Sequence, residues 1–255
     1  MIANYHTHTP RCNHAVGGEE EYVRCALEAG LQTLGFADHT PYPFPKEHYS
    51  HFRMRVEEIS EYTNAVRAAQ KDYGDQIRIH LGVEAEFYPR YFPEMVKILQ
   101  DHGVEYMLLG QHFLYNEMEG VGSNGPTADE ALLRQYCDQT IEAMHTGLFT
   151  YFAHPDLMHF VGEEAAYRRQ IRRLCQAAKA CQMPLEVNLL GIHLQRHYPN
   201  QRFWEIAAEE GNVVILGTDA HDPRSFLDPE PERKAREMIA RLGLELLEDM
   251  PLRRI

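Results

Sequence analysis

Leu34-Gly-Phe-Ala-Asp-His39 is a short apolar run that ends in an acid and an imidazole, and six other apolar runs in the chain end in a similar way. The segment predicts a strand over Thr33–Ala37 with Asp38 and His39 at its carboxyl end. Ile2–Tyr5 is followed by His6 and His8, and Ile77–Val83 by Glu84 and Glu86. Tyr106–Leu109 leads to His112, and Phe149–Ala153 to His154. Leu185–Asn188 ends in Asn188, and Val213–Leu216 leads to Asp219 and His221. Helix-like stretches separate these runs, at about Glu19–Ala29, Val56–Tyr73, Tyr91–Asp101, Asp129–His145, Glu163–Cys181, Gln201–Glu210 and Glu230–Leu242. Val56, Ile59, Tyr62, Val66 and Ala69 recur at three- and four-residue steps, as a buried helix face requires. Thr127-Ala-Asp-Glu130 reads as a capping box, and Gly103, Gly147 and Gly211 sit where helices stop.

Seven strand–helix units without a linker or repeat predict one α/β domain over residues 1–255. Near-continuous apolar strands suit a parallel sheet covered on both faces. In an open doubly wound sheet the seven carboxyl ends would form a line, and only those at the switch point could meet. A closed (β/α) barrel brings all of them to one rim, where barrel active sites are built. The barrel is therefore the favoured architecture.

The composition narrows the function. The chain has 255 residues and a formal charge of −13. No apolar run approaches the ~20 residues of a membrane span, and the opening MIANYHTHTP lacks a signal peptide's pattern. The acidic balance and the absence of a long basic block argue against nucleic acid as a partner. A cytoplasmic protein is the expectation. Oligomeric state leaves no mark on the sequence. The five cysteines are scattered, with no C-x-x-C pair to suggest a disulfide framework or thiolate zinc site. Fifteen histidines are the unusual feature.

On an extended segment His6 and His8 point to the same side, with Cα atoms ~6.5 Å apart, close enough to share an ion. His14 follows on the same loop. Clustered imidazoles and carboxylates with few thiolates suit zinc, iron or manganese better than magnesium or calcium.

These residues carry a family resemblance. His6-Thr-His8, His14, Asp38-His39, Arg53-Met54, Gly82-Val-Glu84-Ala-Glu86, Gly110-Gln-His112-Phe, Ala153-His-Pro-Asp156, Glu186-Val-Asn188 and Gly217-Thr-Asp-Ala-His221 occur in an order that resembles the PHP (polymerase and histidinol phosphatase) metal-dependent phosphoesterases. Within them the chain is similar to the histidinol-phosphate phosphatases. The resemblance implies a distorted, TIM-barrel-like (β/α) barrel of seven strands and a site for three divalent ions (zinc, iron or manganese). One ion would take His6, His8, Glu84 and Asp219. A second would share Glu84 and add His112 and His154, and a third would take His14, His39 and His221. Glu84, Asp219 and His221 are the expected catalytic residues.

The implied reaction is hydrolysis of a small phosphomonoester, L-histidinol phosphate, to L-histidinol and phosphate in histidine biosynthesis, by in-line attack of a metal-bridging hydroxide. Three divalent ions against Glu84 and Asp219 make the pocket positive within an acidic protein, which favours a dianionic substrate. Asp38, Asp156 and Asn188 are candidates to orient ligating imidazoles, and Glu86 to do the same or to bind a substrate amine. Arg53 and Arg196 are the expected substrate contacts. Arg196 stands within Ile192-His-Leu-Gln-Arg-His197, where the family carries an arginine nearer Gly191, and this departure bears on the substrate. Thr40–Phe52, rich in proline, is expected as a packed loop or a lid, and Gly120–Pro126 as a loop. The alternatives are another small phosphate ester or a phosphodiester as substrate, an amidohydrolase-type barrel, and a metal-storing barrel. An amidohydrolase usually adds a bridging lysine, and no lysine closes a strand here.

Overall fold

A computed structural model describes residues Met1–Ile255. Its strands are β1 (Ala3–Asn4), β2 (Thr33–His39), β3 (Arg78–Ala85), β4 (Tyr106–Leu109), β5 (Phe149–Phe152), β6 (Leu185–Asn188), β7 (Val213–Gly217) and β8 (Glu245–Leu247). All pair in parallel and in sequence order, so the sheet curls as a TIM-barrel-like α/β fold. The helices are α1 (Glu19–Glu28), α2 (Ile59–Tyr73), α3 (Phe92–Asp101), α4 (Glu130–His145), α5 (Glu164–Ala180), α6 (Leu189–His193), α7 (Gln201–Glu210) and α8 (Pro229–Leu242).

The strand count corrects the expectation of seven. Strand β8 pairs with the amino-terminal half of β7, Val213 opposite Glu245. It has only three residues, none fully buried, and so leaves no apolar run to read. The expected closed ring is met only at its carboxyl rim, where Thr7 and Ala220 form a parallel bridge. There His8 N–H donates to Ala220 O at 2.9 Å and Ala220 N–H to His6 O at 3.1 Å. The Asn4 side chain reinforces this seam, its Oδ1 accepting from Thr218 N–H at 2.8 Å. A second correction concerns α4, whose N-cap is Asp129, accepting from Ala131 N–H, and not Thr127. No helix is long and apolar enough to cross a membrane.

Alternation along the strands separates two layers. Leu34, Phe36, Leu81, Val83, Met107, Leu109, Val187 and Leu216 point outward into the main core beneath the helices. Inward positions carry Tyr5, Ala37, Tyr106, Leu108, Tyr151 and Ile215, a second and smaller core. The inward side is crowded: a Cβ on Gly82 would stand 2.2 Å from the Tyr106 ring, so only glycine fits there. Tyr106 O–H crosses the interior to Tyr5 O at 2.7 Å. Above this plug, the same inward face carries the polar strand ends.

Candidate metal centre

The register sets the centre of the site. In the β2–β3 pair His39 lies directly opposite Glu84. Glu84 is buried, as are His6, His8, His39, His154 and Asp219. Five imidazoles face its carboxylate. Oε2 stands 3.6 Å from His6 Nε2, 3.6 Å from His8 Nε2 and 3.1 Å from His39 Nδ1. Oε1 stands 3.6 Å from His112 Nε2 and 2.7 Å from His154 Nε2. Asp219 Oδ1 adds contacts of 3.5 Å to His6 and 3.1 Å to His8. Such close approach requires Gly110, where a Cβ would sit 1.9 Å from Glu84 Oε1.

His14 and His221 complete the cluster, and ligand atoms of His14, His39 and His221 lie within 4.8 Å of one another. All nine residues expected as ligands therefore gather at one rim. His154 and Asp219 have positive φ, 32° and 51°, as does Asn13 beside His14 at 67°. Non-glycine residues in that region are strained, and such strain clusters at functional sites.

The electrostatics call for cations. Burial pushes the Glu84 carboxyl up, but the surrounding charges of His112, His39, His6 and His154 outweigh it and hold the group well below the usual range. Asp219 behaves alike, with burial opposed by His6, His8 and His221. Burial drives His221 down to about 3. For His8, burial is overcome by Asp219 and Asp38, which raise it to about 9. Both Glu84 oxygens, His6 Nε2, both nitrogens of His8 and His39 Nδ1 are buried without a hydrogen-bond partner. Orphaned buried acceptors are costly, and an ionised carboxylate most of all. A cluster of lone pairs facing one another is the donor set of a divalent ion with imidazole and carboxylate ligands.

Carboxylates behind the cage fix the rings. His6 Nδ1–H donates to Glu186 at 2.9 Å, and His112 Nδ1–H to Glu86 at 3.0 Å. Asp38 accepts from His39 N–H at 2.7 Å and from the Thr9 hydroxyl, with His8 Nδ1 at 3.5 Å. Asn188 donates to Glu186 at 2.8 Å and to Asp219 at 3.1 Å. Asp156 does not orient an imidazole. Its carboxylate accepts from Asn200 N–H and Trp204 Nε1–H, tying β5's end to α7. Glu186 is the partner that sequence reasoning left without a role. Its signal was the inward pair Glu186-x-Asn188, which repeats Glu84-x-Glu86.

The cage opens onto a cavity of about 440 Å³ whose outer wall includes Phe52, Phe113, Leu190, Leu194, Asn124 and Arg196. Arg196 Nη1 donates to the Tyr198 hydroxyl at 2.6 Å at the mouth. Arg53, by contrast, is buried behind the wall and paired with Glu86 and Glu117. Cys12, set aside in the sequence, lies with its sulfur within 4.8 Å of ligand atoms of His8 and His221. The Gly120–Pro126 loop is pinned to the rim, Ser123 N–H donating to His112 O at 2.8 Å and its carbonyl accepting from His159 N–H at 3.0 Å. Thr40–Phe52 has no regular structure and packs through Tyr42 and Phe44 against Tyr88 and Tyr91.

Residues 4–189 match the family described as PHP domain. A protein from Deinococcus radiodurans named "probable histidinol-phosphatase" is 29% identical over 228 residues, covering 87% of each chain. One of the same name from Schizosaccharomyces pombe is 25% identical over 253 residues, 88% of this chain and 81% of that one. In fold, the chain is similar to the histidinol phosphate phosphatase of Lactococcus lactis, solved with zinc, L-histidinol and phosphate. The TM-score is 0.73 at 19% identity, covering 96% of this chain and 95% of that one.

Proposed function

The chain belongs to the PHP domain family, and on that footing we propose that it is a metal-dependent phosphatase that hydrolyses L-histidinol phosphate to L-histidinol and phosphate. The observation that carries this reading is Glu84, a buried carboxylate with five imidazoles around it and no hydrogen-bond donor on either oxygen. The names of the two relatives and the ligands of the Lactococcus lactis protein support the substrate. His6, His8, Glu84 and Asp219 would hold one ion, Glu84 with His112 and His154 a second, and His14, His39 and His221 a third, as zinc, iron or manganese. When bound, such ions act as Lewis acids toward phosphoryl oxygens and lower the pKa of water to about 7.

The chain's own residues supply the rest. Glu84 presents its two oxygens to different sets of imidazoles, so it joins the two halves of the cage and holds their spacing. Glu186 and Glu86 accept the Nδ1 protons of His6 and His112 and so aim each ring's Nε2 into the cage, and Asp38 holds the backbone of His39. Arg196, already at the mouth, is placed to take a phosphate oxygen, and planar charge-assisted pairing suits that group. Phe52 and Phe113, stacked with centroids 5.7 Å apart, offer an apolar wall to the organic half of the ester and limit water. This reading sets the protein in histidine biosynthesis, acting on a small phosphorylated substrate in the cytoplasm. Phosphate release should be measured over a panel of esters with zinc, iron and manganese. Histidinol phosphate should give the highest kcat/KM; a better sugar or nucleotide ester would displace the proposed substrate.

A further inference from the structure

Arg53 sits where three parts of the site meet. Its Nη1 and Nη2 bind Glu86 at 3.1 and 2.9 Å in a two-pronged pair, and Nη1 also donates to Thr40 O at 2.9 Å. Nε donates to Glu117 at 2.8 Å, and the other Glu117 oxygen lies 3.2 Å from His48 Nε2. The guanidinium lies over the Phe52 ring, 4.3 Å from its centroid. Four of its five N–H donors are thus committed within the protein, and its side chain is only 2% exposed.

The partners lead to the cage. Glu86 Oε1 accepts from His112 Nδ1–H, which leaves Nε2 facing Glu84. Thr40 is next to His39, and its own N–H donates to Glu84 O at 2.9 Å. The His39 and His112 rings meet edge to face, 5.1 Å apart. One guanidinium therefore braces both histidines, and through Glu117 it also anchors the Thr40–Phe52 loop.

We propose that Arg53 is a positioning residue for the metal cage and not a substrate contact: with Glu86 it fixes the tautomer and direction of His112, and through Thr40 the place of His39. This rests on the metal-dependent function proposed above. Lysine cannot reproduce a two-pronged pair and a third bond from Nε together. Loss of such outer partners commonly weakens metal affinity by about 10–100-fold.

The test compares wild type, Arg53→Lys and Glu86→Gln, each loaded with zinc. Zinc release to a coloured chelator is followed, and inhibition by inorganic phosphate is measured at saturating zinc. Both variants should release at least one zinc about tenfold faster than wild type, with phosphate inhibition changed less than threefold. Tenfold weaker phosphate inhibition in Arg53→Lys with zinc release unchanged would overturn the proposal and make Arg53 a substrate ligand. Unchanged release in both variants would overturn it as well. If Arg53→Lys does not fold, by circular dichroism, Glu86→Gln decides by the same release criterion. A wild-type chain that retains no zinc, iron or manganese overturns the parent function with the brace; retention in wild type with equal release from the variants removes the brace alone.

Discussion

The Nε2 atoms of His14 and His221 stand 3.0 Å apart, and each ring has its other nitrogen bonded to a backbone carbonyl. His14 Nδ1–H donates to Cys12 O at 2.7 Å and His221 Nδ1–H to Asp219 O at 2.9 Å. With Nδ1 protonated in both neutral rings, each Nε2 carries a lone pair. Two lone pairs at that separation repel unless a cation lies between or beside them. The local backbone has built a pair of facing acceptors.

His14→Ala should therefore lower the metal content by one ion per chain and leave the ions around Glu84 in place. Elemental analysis after dialysis against metal-free buffer checks this. An unchanged count would separate His14 from the cage.

Glu84→Gln keeps the shape but loses the charge and offers an amide N–H to rings that need an acceptor. Turnover should fall by about 10²-fold or more, as for loss of other central electrostatic groups. Activity within a few-fold of wild type would refute a bridging role for this carboxylate.

Arg196→Ala should act on substrate capture. A charge-assisted hydrogen bond is worth about 1.5–3 kcal/mol, or roughly 10–100-fold in kcat/KM. The loss should lie mainly in KM, with full metal content retained. Steady-state kinetics of the metal-saturated variant beside wild type decide it, and an unchanged KM returns Arg196 to solvent.

Asp156 gives a pH signature. Burial raises its carboxyl from an ordinary 3.8 to about 6, against the pull of Asn200 and Trp204 donors. The folded state thus holds a proton that the unfolded state has released between these values. Its stabilising contribution is complete below pH 3.8 and is lost as pH rises through 6, by roughly 3 kcal/mol. Asp156→Asn removes this dependence. Urea unfolding of metal-stripped wild type and variant should show wild type losing ground to the variant from pH 4 to pH 7; a constant difference would contradict the shift.

The strand ends were readable because parallel strands alternate: outward residues are large and apolar, and inward ones are small or chemically active. His39, Glu84 and Asp219 fall on that pattern, so the expected ligands meet. Other features depend on contacts far apart in the chain. Arg53 looks free in sequence because Glu117 lies 64 residues away and Glu86 33 away. Asn124, Phe52 and Phe113 reach the cavity from loops whose path is set by bonds such as Ser123 to His112 and His159. The five-residue helix α6, capped by Asn188 on Gly191 N–H at 2.9 Å, is too short to show a period.

On the proposed ligand set, the seam between Thr7 and Ala220 sets when the protein could first hold its ions. Asn4 and Thr218, bonded across it, are 214 residues apart in the chain. At a synthesis rate of about 5–20 residues per second, His6 and His8 leave the ribosome roughly 10–40 s before Asp219 and His221 exist. Until then the first imidazoles are a loose pair without their acid, able to touch passing cations but not to keep them. Loading is in this sense a late act of maturation, timed by translation of the seventh strand.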